Sequence, residues 1–230
     1  MTTSSPVAGP AGPGPARQRL RIDIWSDLGC PWCYLGKHRL ETAIAASGHA
    51  GAIDLVPRSF ELDPGTPHQA RPVAEYLAAK MGWSPAQAAQ MEAQLADLAQ
   101  AEGLPFTGDR PYANSFDVHR VLHLAAAHGL AGELLGSLQR DLFGGRADVY
   151  GHDYLAGAAA GLGIDRARVE EVLAGDEYAD AVRRDEADAG RLGITGVPFA
   201  VLDGRFAVPG ASSVDGYARA IERAWAGVPT

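Results

Sequence analysis

Apolar and polar residues first alternate in "LRIDIW", where Leu20, Ile22 and Ile24 recur at every second position, the period of a strand with one buried face. After the turn residues of "SDLG" the period lengthens. From Pro31 onward Leu35, Leu40, Ala43 and Ile44 supply the apolar faces of a helix, and Gly48 is placed to stop it. "AIDLVPRSFEL" predicts a second strand, with Pro57 assigning it to a sheet edge or a bulge because proline has no N–H for a ladder.

From Asp63 to about Gly193 the pattern is almost entirely helical and does not repeat. Its best-bounded element is "SPAQAAQMEAQLADLAQAEG". Ser84 caps it, Pro85 takes the first helical position, Gln87 completes a capping box, Gly103 ends it, and Met91, Leu95 and Leu98 form its stripe. Further helices are predicted at "NSFDVHRVLHLAAAHG", "AGELLGSLQRDLFGG", "HDYLAGAAAGLG", "DRARVEEVLAG" and "EYADAVRRDEADAGRLG", each closed by glycine. Strand signals return in "VPFAVLDGRFAVPGA", two short apolar runs around Asp203-Gly204, a favoured two-residue hairpin turn. A last helix, capped by Ser212 or Ser213, carries Val214, Tyr217, Ile221 and Trp225 at helical spacing.

Composition narrows the function classes. A chain of 230 residues with 47% hydrophobic content can bury a sizeable core without disulfides. A formal charge of -8 and only two lysines, Lys37 and Lys80, argue against a nucleic-acid partner. No window reaches the roughly 18 apolar residues of a membrane span. Residues 1–19 are dominated by Pro and Gly and lack the continuous apolar segment of a secretory leader. They are expected to form a disordered tail, and the expected compartment is the cytoplasm.

The only two cysteines, Cys30 and Cys33, stand three residues apart where the strand pattern gives way to the helix pattern. So close a pair cannot cross-link distant parts of a fold, so its use is reactivity or metal binding. Cys30 falls at the N-cap of the helix that begins at Pro31, where unpaired N–H groups and the helix dipole favour a thiolate. It is therefore the expected attacking sulfur, and Cys33, one turn inside, the resolving one. A zinc site would need a second half. His119 and His123, at i and i+4, could supply two ligands, but no clear second pair completes it, and no metal is expected.

With these features in view, the chain resembles thiol-disulfide oxidoreductases of the DsbA family in the thioredoxin superfamily, specifically the FrnE-like branch. The similarity spans about residues 20 to 226 and rests on "SDLGCPWCYLGKHRLE", "FELDP", "NSFDVHRVLHLA" and "DEADAGRLGITGVPFAVLDGRFAVPGA". It implies an α/β thioredoxin-like fold, a central mixed sheet flanked by helices. A large all-helical insertion would lie between the second strand and the cis-proline strand. The implied division is a discontinuous thioredoxin-like domain of residues 20–62 and 176–228 with an insertion of residues 63–175. It also implies a cis Pro198 beside the cysteine pair, catalysis by Cys30, Cys33 and Pro198, and substrate contacts from Pro31, Trp32 and the Val197 backbone. Asn114, Phe116, His119 and Arg120 would face the cysteines from the insertion, although Phe116, His119, Leu122 and His123 equally describe a buried helical stripe.

The implied function is exchange with protein or small thiol substrates through a mixed disulfide, with disulfide isomerisation a related activity. It needs no cofactor beyond the redox-active pair, leaves room for glutathione as co-substrate, and requires a redox partner. Two departures bear on it. The position six residues before the first cysteine, often a buried carboxylate in thioredoxin-type enzymes, is Ile24, and the residues between the cysteines are Pro31-Trp32 rather than Pro-His, which predicts a less oxidising couple than that of DsbA. The rivals are a glutathione-dependent isomerase or transferase related to 2-hydroxychromene-2-carboxylate isomerase and kappa-class glutathione transferase, which usually carry serine where Cys30 lies, and a non-enzymatic zinc module.

Overall fold

In a computed structural model of the chain, residues 19–227 are described; of the expected tail at residues 1–19, all but the last residue lies outside them. Arg19 belongs to the structure, its guanidinium paired with Asp54. The predicted first strand is β1 (Leu20–Ser26) and the helix after it α1 (Pro31–Ala46). β2 (Ile53–Ser59) pairs parallel with β1, and β5 (Phe199–Leu202) pairs antiparallel on its other side. β6 (Phe206–Pro209) completes a mixed sheet of order β2-β1-β5-β6. Pro57 sits in regular register opposite Ile24 on an edge strand, so the edge rather than the bulge accommodates it. Asp203 and Gly204 both have positive φ, at 54° and 65°, the backbone of a tight hairpin turn whose twist suits the flanking strands.

Alternation along β1 gives the sheet two buried faces. Leu20, Ile22 and Ile24, with Ala200 and Leu202, pack against Leu40 and Ala43 of α1 and against Tyr217 and Ile221 of α9 (Val214–Trp225). Trp25 points the other way, with Phe199 and Val201, onto Ala189 of α8 (Ala179–Arg191). Ser213 caps α9 through its hydroxyl.

Between β2 and β5 lie α2 (Val73–Met81), α3 (Pro85–Ala101), α4 (Phe116–Ala127), α5 (Ala131–Phe143), α6 (His152–Gly161) and α7 (Arg166–Ala174), followed by α8. The Ser84-Gln87 capping box forms as predicted. Three features differ from the sequence reading. α2 was not predicted, although Val73 and Tyr76 are buried at helical spacing and Gly82 closes it in the left-handed region. A two-stranded ladder, β3 (Arg71–Pro72) with β4 (Pro111–Tyr112), interrupts the helical block and is too short to leave a periodic signature. The buried stripe of α3 is Ala88, Leu95 and Ala99, with Leu98 exposed, because small residues let that helix approach Leu35 of α1.

α1 therefore has no single amphipathic stripe. Leu40 and Ala43 belong to the sheet core, Leu35 to the contact with α3, and Tyr34 to the helical core, where it stacks on Phe143 at a centroid separation of 4.8 Å. The helix is held along its length by three apolar clusters. Among the described residues no helix is long and apolar enough to cross a membrane.

Candidate active site

The open side of α1 is its N-terminus. Cys30 is the N-cap residue, in extended conformation and without a side-chain capping bond, and Pro31 opens the helix, so Cys30 stands at the positive end of the α1 dipole. The Cys33 N–H instead bonds the Cys30 carbonyl at 3.0 Å, which places the second sulfur behind the first, inside the turn. Neither sulfur is in a disulfide. Cys33 is fully buried, and burial, reinforced by the adjacent Cys30, pushes its thiol well above the ordinary value. The nearby Asp27 N–H and Ser26 hydroxyl oppose that rise, favouring the thiolate.

The Val197-Pro198 peptide is cis, as the resemblance implied. The Cys30 thiol donates to the Val197 carbonyl at 3.6 Å, tying two residues far apart in the chain into one site. Pro198 packs on α1 at Gly36, where a methyl group would lie 2.7 Å from the proline Cγ. The loop is anchored from behind: the Gly210 N–H donates to the Pro198 carbonyl at 2.8 Å, and the Tyr217 hydroxyl donates to the Gly210 carbonyl at 3.1 Å.

Over Cys30 opens a groove of about 440 Å³. One side carries Cys30, Pro31, Trp32 and Val197; the other is built by α2 and α3, with Tyr76, Met81, Trp83 and Met91 among its walls. Trp32, Leu62 and Met81 leave 41%, 38% and 55% of their surface exposed, so an apolar rim faces solvent beside the sulfur. At the base Arg110 pairs with Glu92, both buried, and its guanidinium lies over Phe106 and Phe143 at 5.1 and 4.9 Å. Such a concave, mainly apolar site with a few placed polar groups is the usual form of a ligand-binding cleft.

Of the residues expected from the sequence, Cys30, Pro31, Trp32 and Val197 line the groove, with Cys33 and Pro198 directly behind. The four expected from the insertion do not line it. Asn114 pins a loop, donating to Glu61 Oε1 at 2.9 Å and accepting from the Phe116 N–H at 2.9 Å, and Phe116 lies under the Arg183 guanidinium. Arg120 is taken up by the end of α7, donating to the carbonyls of Val172, Gly175 and Glu177 and to Asp117. His119 is buried behind the site, its Nε2 3.8 Å from the Asp27 carboxylate. Burial holds His119 below the ordinary imidazole value, against the opposing pull of Asp27 and Glu186.

Sequence reasoning missed the α2 wall, for which the spacing of Val73, Tyr76 and Leu77 was the available signal. It also treated Ser26 and Asp27 only as turn residues. Both are buried, and each leaves an oxygen without a hydrogen-bond partner. Among the described residues no cluster of three or more His, Cys, Asp or Glu side chains is arranged to hold a metal ion.

A family profile described as "DSBA-like thioredoxin domain" matches residues 21–222. The structure is similar to that of a probable DsbA oxidoreductase from Streptomyces coelicolor, with 42% identity, 92% of each chain covered and a TM-score of 0.86. At 19% identity, where the likeness is one of fold, it also resembles a 2-hydroxychromene-2-carboxylate isomerase (TM-score 0.67, 88% of this chain and 95% of that one). A second such likeness is to the cytosolic disulfide reductase DsbM of Pseudomonas aeruginosa (0.60, 90% and 98%), which has also been solved with GSH. A thioredoxin-like sheet, a cysteine pair at the first turn of α1 and a profile match over nearly the whole described chain lead to one conclusion: the chain belongs to the DSBA-like thioredoxin domain family.

Proposed function

We propose that the protein is a thiol-disulfide oxidoreductase in which reduced Cys30 attacks a substrate disulfide and Cys33 resolves the mixed disulfide; in the reverse direction a substrate thiolate attacks Cys30 of the oxidised pair and Cys33 is the leaving group. The observation that carries this reading is the asymmetry of the pair. Cys30, itself only 4% exposed, lines an open apolar groove at a helix N-terminus, while Cys33, wholly buried, does not reach that lining, and burial pushes its thiol well above the ordinary value. A thiolate is the attacking species in disulfide exchange, and of the two sulfurs it is Cys30 whose residue lines the groove a substrate would enter.

The Val197 carbonyl, already bonded to the Cys30 thiol, would lie along an extended substrate in a short strand-like pairing, with Pro198 keeping that backbone against α1. The groove's apolar walls favour apolar side chains on the substrate, whether a peptide or a small thiol compound. Glutathione as co-substrate and a cytoplasmic setting belong to the same reading, and the naming of the Pseudomonas neighbour as a cytosolic reductase solved with GSH supports both. Isomerase activity would follow from the same mixed disulfide if Cys30 releases a rearranged substrate before Cys33 acts.

The glutathione-dependent isomerase reading finds support in the fold it shares with 2-hydroxychromene-2-carboxylate isomerase. Cys30→Ser separates the two. A protein that cycles its own disulfide loses all reductase activity toward insulin or a glutathione mixed disulfide, whereas an enzyme that only binds a glutathione thiol is merely weakened. Retained turnover in Cys30→Ser would overturn the oxidoreductase reading.

A further inference from the structure

Cys33 must lose a proton before it can resolve a mixed disulfide, yet it is fully buried and its thiol is held in the protonated form. The apolar side chain of Ile24 offers no acid or base from β1. The Ser26 hydroxyl, close enough to favour the Cys33 thiolate, is itself buried and has no hydrogen-bond partner in the resting protein. Ser26 also borders a small cavity of about 10 Å³ behind the sheet, whose polar walls are Ser59, Arg58, His119 and His123. That volume is about one probe sphere, the room a single water needs, and the walls provide the two to four polar partners that hold one. His119 Nε2 is buried and unpartnered, 3.8 Å from the unpartnered Asp27 Oδ1.

Resting on the dithiol reading above, we infer that this cavity is the proton exit for the resolving step. As the Cys33 sulfur attacks the Cys30 sulfur of the mixed disulfide, the Cys33–Cys30 bond forms and the Cys30–substrate bond breaks. The substrate leaves as a thiolate that takes a proton from solvent. The Cys33 proton passes to the Ser26 hydroxyl, whose own proton moves through the cavity water to the neutral imidazole of His119. Asp27, whose other carboxylate oxygen accepts from the Leu62 N–H at 2.8 Å, stabilises the imidazolium, and Glu186 adds to it while the neighbouring His123 opposes it. His123, partly exposed and bonded to Ser59 and Asp185, hands the proton onward to solvent. In this route Ser26 and His119 carry the proton, and Asp27 acts through His119 as a positioning residue.

The test mixes reduced full-length protein with one equivalent of 5,5′-dithiobis(2-nitrobenzoate) in a stopped-flow cell. Attack by Cys30 releases the first thionitrobenzoate and resolution by Cys33 the second. In both Ser26→Ala and His119→Gln the first phase is expected to match the wild type. The second should slow by about tenfold or more near pH 6 and return toward the wild-type rate above about pH 9, where hydroxide takes the proton directly. An unchanged second phase in either variant overturns the exit, and so does a slowing that is the same at every pH, which marks a structural role. A wild-type protein that gives no second phase contradicts the dithiol reading itself, a separate failure.

Discussion

The two sides of the α1 first turn are built from opposite materials. In front of Cys30 the surface is apolar and open: Trp32, Leu62 and Met81 form an exposed rim, and α2 and α3 supply the far wall. Behind Cys33 the interior is polar and closed, with Ser26, Asp27, His119 and Asp185 all buried. The sequence places the two sulfurs only three residues apart, yet a helix turn rotates them into these different surroundings. An apolar surface left open invites a partner, whereas buried polar groups cost free energy unless they are hydrogen-bonded or used. The contrast teaches that the functional asymmetry of the pair comes from where the helix begins, since the residues at the cysteines themselves are identical.

The largest effect expected on that contrast is from the front. Arg110→Ala leaves the Glu92 carboxylate unpaired at the base of the groove, and breaking a buried ion pair by removing one partner costs about 3 to 5 kcal/mol. Urea denaturation should read that loss, and binding of apolar substrates should fall with it as the groove floor opens. A cost under about 1 kcal/mol would show that the pair is solvated and the groove wall self-supporting.

Next comes the back. Burial would raise the Asp185 carboxyl, but hydrogen bonds from His123 and the Ser59 N–H, with the charge of Arg58, outweigh it and hold the group below its ordinary value. A depressed folded value means that its stabilisation is present above the unfolded value and is lost as pH falls through the folded one. Asp185→Asn is therefore expected to cost about 1 to 3 kcal/mol near pH 7, with the gap to wild type closing below about pH 4. A gap that is constant with pH would mean the loss is one of packing alone.

Gly36→Ala tests the seam between the two sides. The added methyl would stand 2.7 Å from Pro198 Cγ and 3.4 Å from Ala211, so either α1 or the Val197-Pro198 loop must shift, at about 1 to 3 kcal/mol. Cys30 alkylation by iodoacetamide should change with it, because the Val197 carbonyl that accepts from the thiol moves too. Unchanged stability together with unchanged alkylation would show that the loop is not seated on Gly36. The smallest effect is expected at an exposed helix end: Ser84→Ala removes the cap of α3, costing about 1 kcal/mol of stability in urea denaturation, and leaves the redox couple untouched.

The front and back were not equally legible in the sequence. The strand-helix switch, the N-cap position of Cys30 and the hairpin at Asp203-Gly204 are local signals, and each is found where the periodicity placed it. The approach of Pro198 to the pair came from family resemblance, since no local pattern joins residues 33 and 198. The far groove wall depends on how α3 packs against α1, where Leu95 and Ala99 meet Leu35, and Ala99 is a small residue that periodicity reads as neutral. Arg120 was a candidate by family resemblance alone, and the sequence carries no local sign that it donates to three carbonyls at the end of α7.

The most direct measurement of the central claim is disulfide trapping with the two single-cysteine variants. Each purified protein is incubated with oxidised glutathione and with a peptide disulfide carrying apolar side chains, quenched with acid and resolved by mass spectrometry. Cys33→Ser is expected to accumulate the mixed disulfide at Cys30, because the attacking sulfur remains in the groove and nothing is left to resolve it. Cys30→Ser, with its remaining thiol buried and firmly protonated, is expected to accumulate none on the same timescale. Adducts on Cys33 in Cys30→Ser, at a rate equal to those on Cys30 in Cys33→Ser, would contradict the assignment of front and back.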